Sequence, residues 1–208
     1  MKPGGGSGPG TMEEPFRKDM ANVSWDQVYE RQKLRADLAP AWMDALGLKP
    51  GSRVLEIGAG PGFFSLLLAE RVGPAGIVYA VDRSPEALAF LERRQAERGL
   101  AQIRRIAADA AALGPEGLDA QAALATMVLH HADAPAAILR NVAGLLPAGA
   151  LLLVGEFHPD GPCEQGPPRD WRLDPKRVEA WCAESRLAVA SYRRQSPEHY
   201  MLLARKAG

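Results

Sequence analysis

Two hydrophobic periods alternate along this chain. From residue 53 onward, short apolar runs bounded by glycine, proline or acids are separated by stretches whose apolar residues recur every three or four positions. The runs at 53–57, 76–81, 102–107, 120–127 and 150–157 predict strands. The stretches 63–71, 85–98 and 134–146 predict helices. Ser84 and Pro85 give the second helix an N-cap and a first residue, and Pro147 and Gly149 stop the third. Strand and helix repeated with short links predict a mostly parallel sheet between two helical layers.

The flanks read differently. Trp25, Val28, Tyr29, Gln32, Leu34, Leu38, Trp42, Met43 and Leu46 form an imperfect helical stripe, and Pro40 predicts either two helices or one kinked helix. At the other end, the loop HPDGPCEQGPP precedes a predicted helix at 174–185. Two apolar runs, 187–192 and 199–205, then share a hairpin-length link that predicts an antiparallel pair. The opening MKPGGGSGPG is too poor in apolar residues to offset its chain entropy and predicts a disordered tail over 1–13.

Composition narrows the classes of function. Lys plus Arg equals Asp plus Glu at 25 each, so no global field draws the chain to nucleic acid or an anionic membrane. Two cysteines, Cys163 and Cys182, are too few for a disulfide scaffold and lack metal-ligand spacing. No run reaches the ~18 apolar residues of a membrane span, and the N-terminus lacks a signal-peptide pattern. These features predict a soluble cytoplasmic protein with no membrane insertion and no bound metal.

The chemistry concentrates in VLEIGAGPGFF, residues 54–64. In a doubly wound sheet this turn lies at the ligand crevice, where glycines admit a ligand and the next helix offers unpaired N–H groups. Gly58, Gly60 and Gly62 are spaced G-x-G-x-G rather than the G-x-G-x-x-G of a dinucleotide site. Glu56, two residues before the first glycine, would also oppose a pyrophosphate. Both features count against a nicotinamide-dependent oxidoreductase.

E-I-G-A-G-P-G resembles the first motif of the class I S-adenosylmethionine-dependent methyltransferases. The segment ALGLKPGSRVLEIGAGPGFFSLLLAERVGPAGIVYAVDRSPEAL is similar throughout to small-molecule members related to quinone-biosynthesis enzymes. The resemblance implies an α/β Rossmann-like doubly wound sheet of seven strands, mostly parallel, with one antiparallel strand near the C-terminus and an N-terminal helical lid. It divides residues 14–208 into a lid (14–48), a cofactor core (49–158) and a C-terminal helix with an antiparallel strand pair (159–208), all in one domain. S-Adenosylmethionine has an ammonium and a sulfonium and no phosphate, so a carboxylate at the end of the first strand suits it.

By this resemblance Glu56 holds the methionine end, while Gly58, Gly60 and Gly62 admit the cofactor. Asp82 accepts both ribose hydroxyls, and Arg83 lies over the adenine or in solvent. Asp109 and the Ala110 amide meet the adenine, and Met127 belongs to the apolar wall beneath it. Asp82 alone could be a capping or surface acid, and Asp109 an N-cap.

Methyl transfer is an in-line displacement in which the enzyme chiefly aligns groups and excludes water, so catalytic residues leave little pattern. His130 and His131, just past the fourth strand, are candidate general bases. Glu156 and His158, at the end of the fifth, point to the same rim. Trp25 and Tyr29 are expected to form the lid, with the 158–172 loop and its Trp171 as the opposite wall. No N/D-P-P-Y/F follows the fourth strand, and Arg93, Arg94, Arg98, Arg104 and Arg105 read as a solvated helix face and strand edge rather than an RNA contact. The expected function is methylation of a small-molecule acceptor, with S-adenosylhomocysteine as second product. RNA or protein methylation and non-catalytic cofactor binding are the alternatives; the acceptor and the oligomeric state are not encoded in any motif.

Overall fold

In the computed structural model, which describes residues 24–208, the alternating pattern builds one seven-stranded sheet. Its strands are β1 (Arg53–Ile57), β2 (Ile77–Asp82), β3 (Ile103–Ala107), β4 (Ala122–Thr126), β5 (Leu151–Phe157), β6 (Leu187–Arg194) and β7 (His199–Lys206). The helices are α1 (Trp25–Lys33), α2 (Ala39–Ala45), α3 (Phe63–Val72), α4 (Pro85–Glu97), α5 (Pro135–Leu145) and α6 (Pro175–Glu184). The expected tail and the first ten residues of the lid lie outside the described residues.

Across the sheet the order is β3-β2-β1-β4-β5-β7-β6, with β7 antiparallel to both β5 and β6 and the other pairings parallel. Chain order reverses between β1 and β4, which places the crevice past their carboxyl ends. Period-two alternation assigns the two core faces. Val54, Leu124 and Leu153 pack with α1 to α4, whereas Leu55, Ile57, Ala123 and Val154 pack with α5 and α6. Glu56 has the parity of Val54 and therefore faces α3.

Two local details depart from or settle the expectations, and a third places the aromatics that follow the glycine turn. The run 120–127 shortens to Ala122–Thr126 because Met127 adopts φ 53 and leaves the sheet, its N–H bonding Gly155 O at 2.8 Å. Pro40 begins a second helix rather than kinking one: it lies in the first turn of α2, where a missing N–H costs no helical bond, and a short 3-10 turn at Ala36–Leu38 separates α2 from α1. Phe63 and Phe64 both pack under the N-terminal helices, against Tyr29 at 5.5 Å and Trp42 at 5.0 Å between ring centroids.

Candidate functional site

The three glycines of the turn answer to different constraints. Gly58 N and Ala59 N both donate to Val81 O, at 2.8 and 3.0 Å. A Cβ on Gly58 (φ +71) would lie 2.2 Å from Val128 Cγ2, so this glycine lets β1 pass the residue that follows Met127. A Cβ on Gly62 (φ +88) would meet Leu91 Cδ1 at 2.3 Å, so this one lets the start of α3 close onto α4. Only at Gly60 (φ +56) is there space beside the backbone, its nearest contact being Gln32 Nε2 at 3.4 Å. Gln32 ties α1 to the turn: Nε2 donates to Ala59 O at 3.3 Å, and Oε1 accepts Phe63 N at 3.0 Å at the α3 N-terminus.

Two carboxylates border this turn. Glu56 is buried, and Ser65 Oγ on α3 donates to its Oε2 at 2.5 Å. Burial pushes Glu56 up to about 7, against the pull of the Ser65 bond and with a further push from Asp82. Asp82 accepts Gly60 N on Oδ2 at 2.7 Å and Ser84 N on Oδ1 at 2.9 Å. Burial also raises Asp82, opposed by the Ser84 and Gly60 amides and by Arg83. Among the described residues neither acid forms an ion pair. A cation would relieve both carboxyls, whereas a pyrophosphate would worsen both, so this donor set fits the ammonium of S-adenosylmethionine.

The remaining expected cofactor residues line the same edge. Arg83 is exposed beside Asp82. Asp109 is exposed and its Oδ1 accepts Ala111 N at 2.8 Å, shaping the turn past β3. Ala110 is buried, its carbonyl held by Asn141 Nδ2 at 2.9 Å, and Met127 is half-buried at the end of β4.

Further along the edge, His130 and Glu156 form a buried pair. Glu156 Oε2 meets His130 Nδ1 at 2.6 Å, and Oε1 accepts Leu129 N at 2.8 Å and His130 N at 3.3 Å. Burial favours protonated Glu156, but His130 and the amides outweigh it and hold the carboxyl below its usual range. Glu156 therefore stays ionised and turns the His130 ring by accepting from Nδ1. The His131 ring lies 4.3 Å from that of His130, centroid to centroid.

His158 has contacts of its own. Its Nδ1 accepts Asp160 N at 3.1 Å, and its ring meets Tyr200 edge-on at 6.0 Å. Burial, followed by Arg194, keeps it below the usual imidazole range. Tyr29 is buried with its ring against Phe63 and Phe90, and Arg94 Cζ lies 4.9 Å from its centroid. Trp25 packs half-buried on the same cluster.

Several organising side chains escaped the sequence reading. Arg172 binds the 158–172 loop through Pro167 O, His158 O and Gln165 O, and its Nη1 reaches Glu198 Oε2 at 2.5 Å. Ser65 carried a usable signal, being the one hydroxyl in the apolar run FFSLLL; Gln32 and His199 fall on the helical stripe and the last apolar run, which predicted elements but no site role, and Arg35 and Arg172 stand in unpatterned segments. The arginines between 93 and 105 are largely engaged: Arg98 with Glu70, Arg105 with Glu92, Arg94 with Glu97, and Arg104 over Tyr79. Among the described residues no group of three or more His, Cys, Asp or Glu could hold a metal ion. No helix among them is long and apolar enough to cross a membrane.

Comparison with known proteins adds the family. The family described as "Methyltransferase domain" matches residues 48–208. The chain is 33% identical over 117 residues to a protein-L-isoaspartate O-methyltransferase of Pyrococcus horikoshii, covering 56% of this chain and 50% of that protein. It is 32% identical over 140 residues to the nocamycin O-methyltransferase of Saccharothrix syringae, covering 66% and 48%. The chain thus spans about half the length of these curated relatives. The solved structure of a SAM-dependent methyltransferase from Aquifex aeolicus superposes with a TM-score of 0.77 at 19% identity, covering 88% of this chain and 98% of that one. With the family match spanning most of the chain, this protein belongs to the methyltransferase domain family, whose fold implies S-adenosylmethionine as cofactor.

Proposed function

We propose that the protein transfers a methyl group from S-adenosylmethionine to an oxygen of a small-molecule acceptor in a cytoplasmic setting. The observation that carries this reading is the pair of acids that form no ion pair among the described residues, buried Glu56 and half-buried Asp82, around a turn open only at Gly60. When bound, the cofactor supplies an electrophilic methyl on a positively charged sulfur. Everything else falls to the chain.

Asp82 spends one bond of each oxygen on Gly60 and Ser84 and keeps lone pairs for the two ribose hydroxyls. Glu56 would neutralise the ammonium end, Asp109, Ala110 and Met127 would hold the base, and Arg83 would meet it or the solvent. Across the edge His130, turned by Glu156, takes the proton of an acceptor hydroxyl as the new bond forms. Helix α1, held to the turn by Gln32, and the loop held by Arg172 exclude water.

A protein acceptor is the second reading, favoured by the likeness to the isoaspartate enzyme. Incubation with methyl-tritiated cofactor, a pool of small hydroxy compounds and a protein extract distinguishes the two. Label in the solvent-extractable small-molecule fraction supports the first reading, and label confined to precipitable protein replaces it with the second. No incorporation, with S-adenosylhomocysteine still bound, would leave a cofactor-binding protein without turnover.

A further inference from the structure

Beyond His130, the same edge of the sheet carries two donors without a hydrogen-bond partner among the described residues, Arg35 Nε and His199 Nε2. Phe157 ends β5 and is the register partner of His199, the first residue of β7. The two rings lie 4.8 Å apart, and Arg35 Cζ lies 5.4 Å from the Phe157 centroid. Phe157 stands two strands from β1, about 10 Å at the usual strand spacing, which is where an acceptor would sit beside a cofactor on the glycine turn. Arg35 follows Gln32 by one turn, its N–H bonding Gln32 O at 3.0 Å, so one short segment reaches both the turn and this cluster.

Arg35 is 9% exposed, yet its guanidinium has no hydrogen bond or ion pair among the described residues, and Nε is fully enclosed. Its one packing contact of note is the face of Phe157, which satisfies none of its N–H groups. Glu156 is near enough to attract it, but the Glu156 oxygens are taken by His130 Nδ1 and by the Leu129, His130 and Phe157 amides. Arg172, on the same ring at 5.3 Å, is different: its donors are spent on Glu198 and three carbonyls.

His199 is 5% exposed, and its tautomer follows from its neighbours. Ser196 Oγ accepts two amides, Glu198 N and His199 N, both at 3.1 Å, so its own proton points to His199 Nδ1 at 3.0 Å. Nδ1 is thereby the acceptor, and Nε2 carries the proton. That Nε2 is enclosed with no hydrogen-bond partner. Burial, then Arg35, holds the ring down to about 4 against the opposing pull of Glu198 and Asp37, so at neutral pH it is an uncharged N–H donor.

A guanidinium with an enclosed Nε and no hydrogen bond among the described residues, and an enclosed imidazole N–H, both against one ring, are complementary to a planar anion with two oxygens. We infer that Arg35 and His199 form a carboxylate subsite that holds the acceptor, so that the methylated molecule is a small carboxylic acid bound by its charge against Phe157. This rests on the methyltransferase reading for the orientation of the acceptor but not for the existence of the subsite.

The test uses the full chain saturated with S-adenosylhomocysteine. Acetate and benzoate are titrated with acetamide and benzamide as uncharged controls, followed by melting temperature and by the 15N signal of the His199 ring. The acids should saturate in the millimolar range and shift the His199 Nε2 resonance, while the amides leave it unmoved. Arg35→Met should weaken the acids at least tenfold, retain the homocysteine product within threefold, and melt no lower than wild type because it removes an unpaired buried charge. Arg35→Lys should recover part of the affinity.

Acids and amides acting alike, no response to either acid at 100 mM, methyl phosphate binding more tightly than acetate, or Arg35→Met leaving acid binding intact would each overturn the subsite. Should Arg35→Met fail to fold, Arg35 is a structural residue and the inference fails as well. Loss of S-adenosylhomocysteine binding by the wild-type chain would instead overturn the cofactor reading, and the acid titration without cofactor would still report on the subsite.

Discussion

The two halves of the sheet edge are built on different principles. On the β2–β1 side the ligand site is made by backbone: amides of Gly58, Ala59, Gly60 and Ser84 bond to Val81 O or Asp82, and the acids complete it within 27 residues of sequence from Glu56 to Asp82. On the β4–β5–β7 side it is made by side chains brought from five separate segments: Arg35, His130, Glu156, Arg172 and His199. The backbone-built half can hold one ligand shape and tolerates few substitutions. The side-chain half can change its acceptor by exchanging residues without touching the fold.

Substitutions should break the backbone half most severely. Gly58→Ala forces a Cβ into Val128 at positive φ and should cost about 4 kcal/mol in a urea titration, with part of the loss recovered by adding Val128→Ala. An unchanged midpoint would mean that the turn yields more easily than its contacts indicate.

Glu56 gives a pH signature next in size. Below its ordinary 4.5 the carboxyl is protonated in folded and unfolded chains alike; between 4.5 and about 7 only the folded chain keeps the proton. The folded state then binds more protons, so the stability of the cofactor-free protein falls as pH rises through that window. Relative to Glu56→Gln the fall should amount to about 3 kcal/mol, checked by urea titrations at several pH values. A flat difference would mean that Glu56 is ionised and paired in the folded protein.

The acceptor half should fail in turnover before it fails in binding. Once an acceptor is in hand, His130→Ala should lower kcat about a hundredfold while S-adenosylhomocysteine affinity changes less than threefold. Equal loss in both would assign His130 to the cofactor side. At the small end, Arg98→Ala removes an exposed pair with Glu70 and should move stability by less than about 0.5 kcal/mol, with no change in cofactor binding.

The same division explains what could be read from the chain. The strands and helices of the parallel core were legible because their central strands are enclosed on both faces, which leaves continuous apolar runs such as VLEI and LLLVGEF. Glu56, Asp82 and the glycine turn were legible because all belong to one local strand–turn–helix unit and its neighbour. Arg35 and His199 were not, since their proximity exists only once β7 lies antiparallel beside β5 and the N-terminal helices cross the edge. The distinct reasons for Gly58 and Gly62 were equally invisible, because Val128 and Leu91 come from other elements.

The central claim is that buried Glu56, half-buried Asp82 and a glycine turn receive a cationic, phosphate-free cofactor. Calorimetric titration of wild type and Asp82→Ala with S-adenosylhomocysteine and with NADH, near pH 6.5 in two buffers of different ionisation enthalpy, tests it directly. The expected result is saturable binding of S-adenosylhomocysteine alone, with proton release as Glu56 ionises and an affinity at least tenfold weaker in Asp82→Ala. Binding of NADH without S-adenosylhomocysteine, or an affinity untouched by Asp82→Ala, would contradict it.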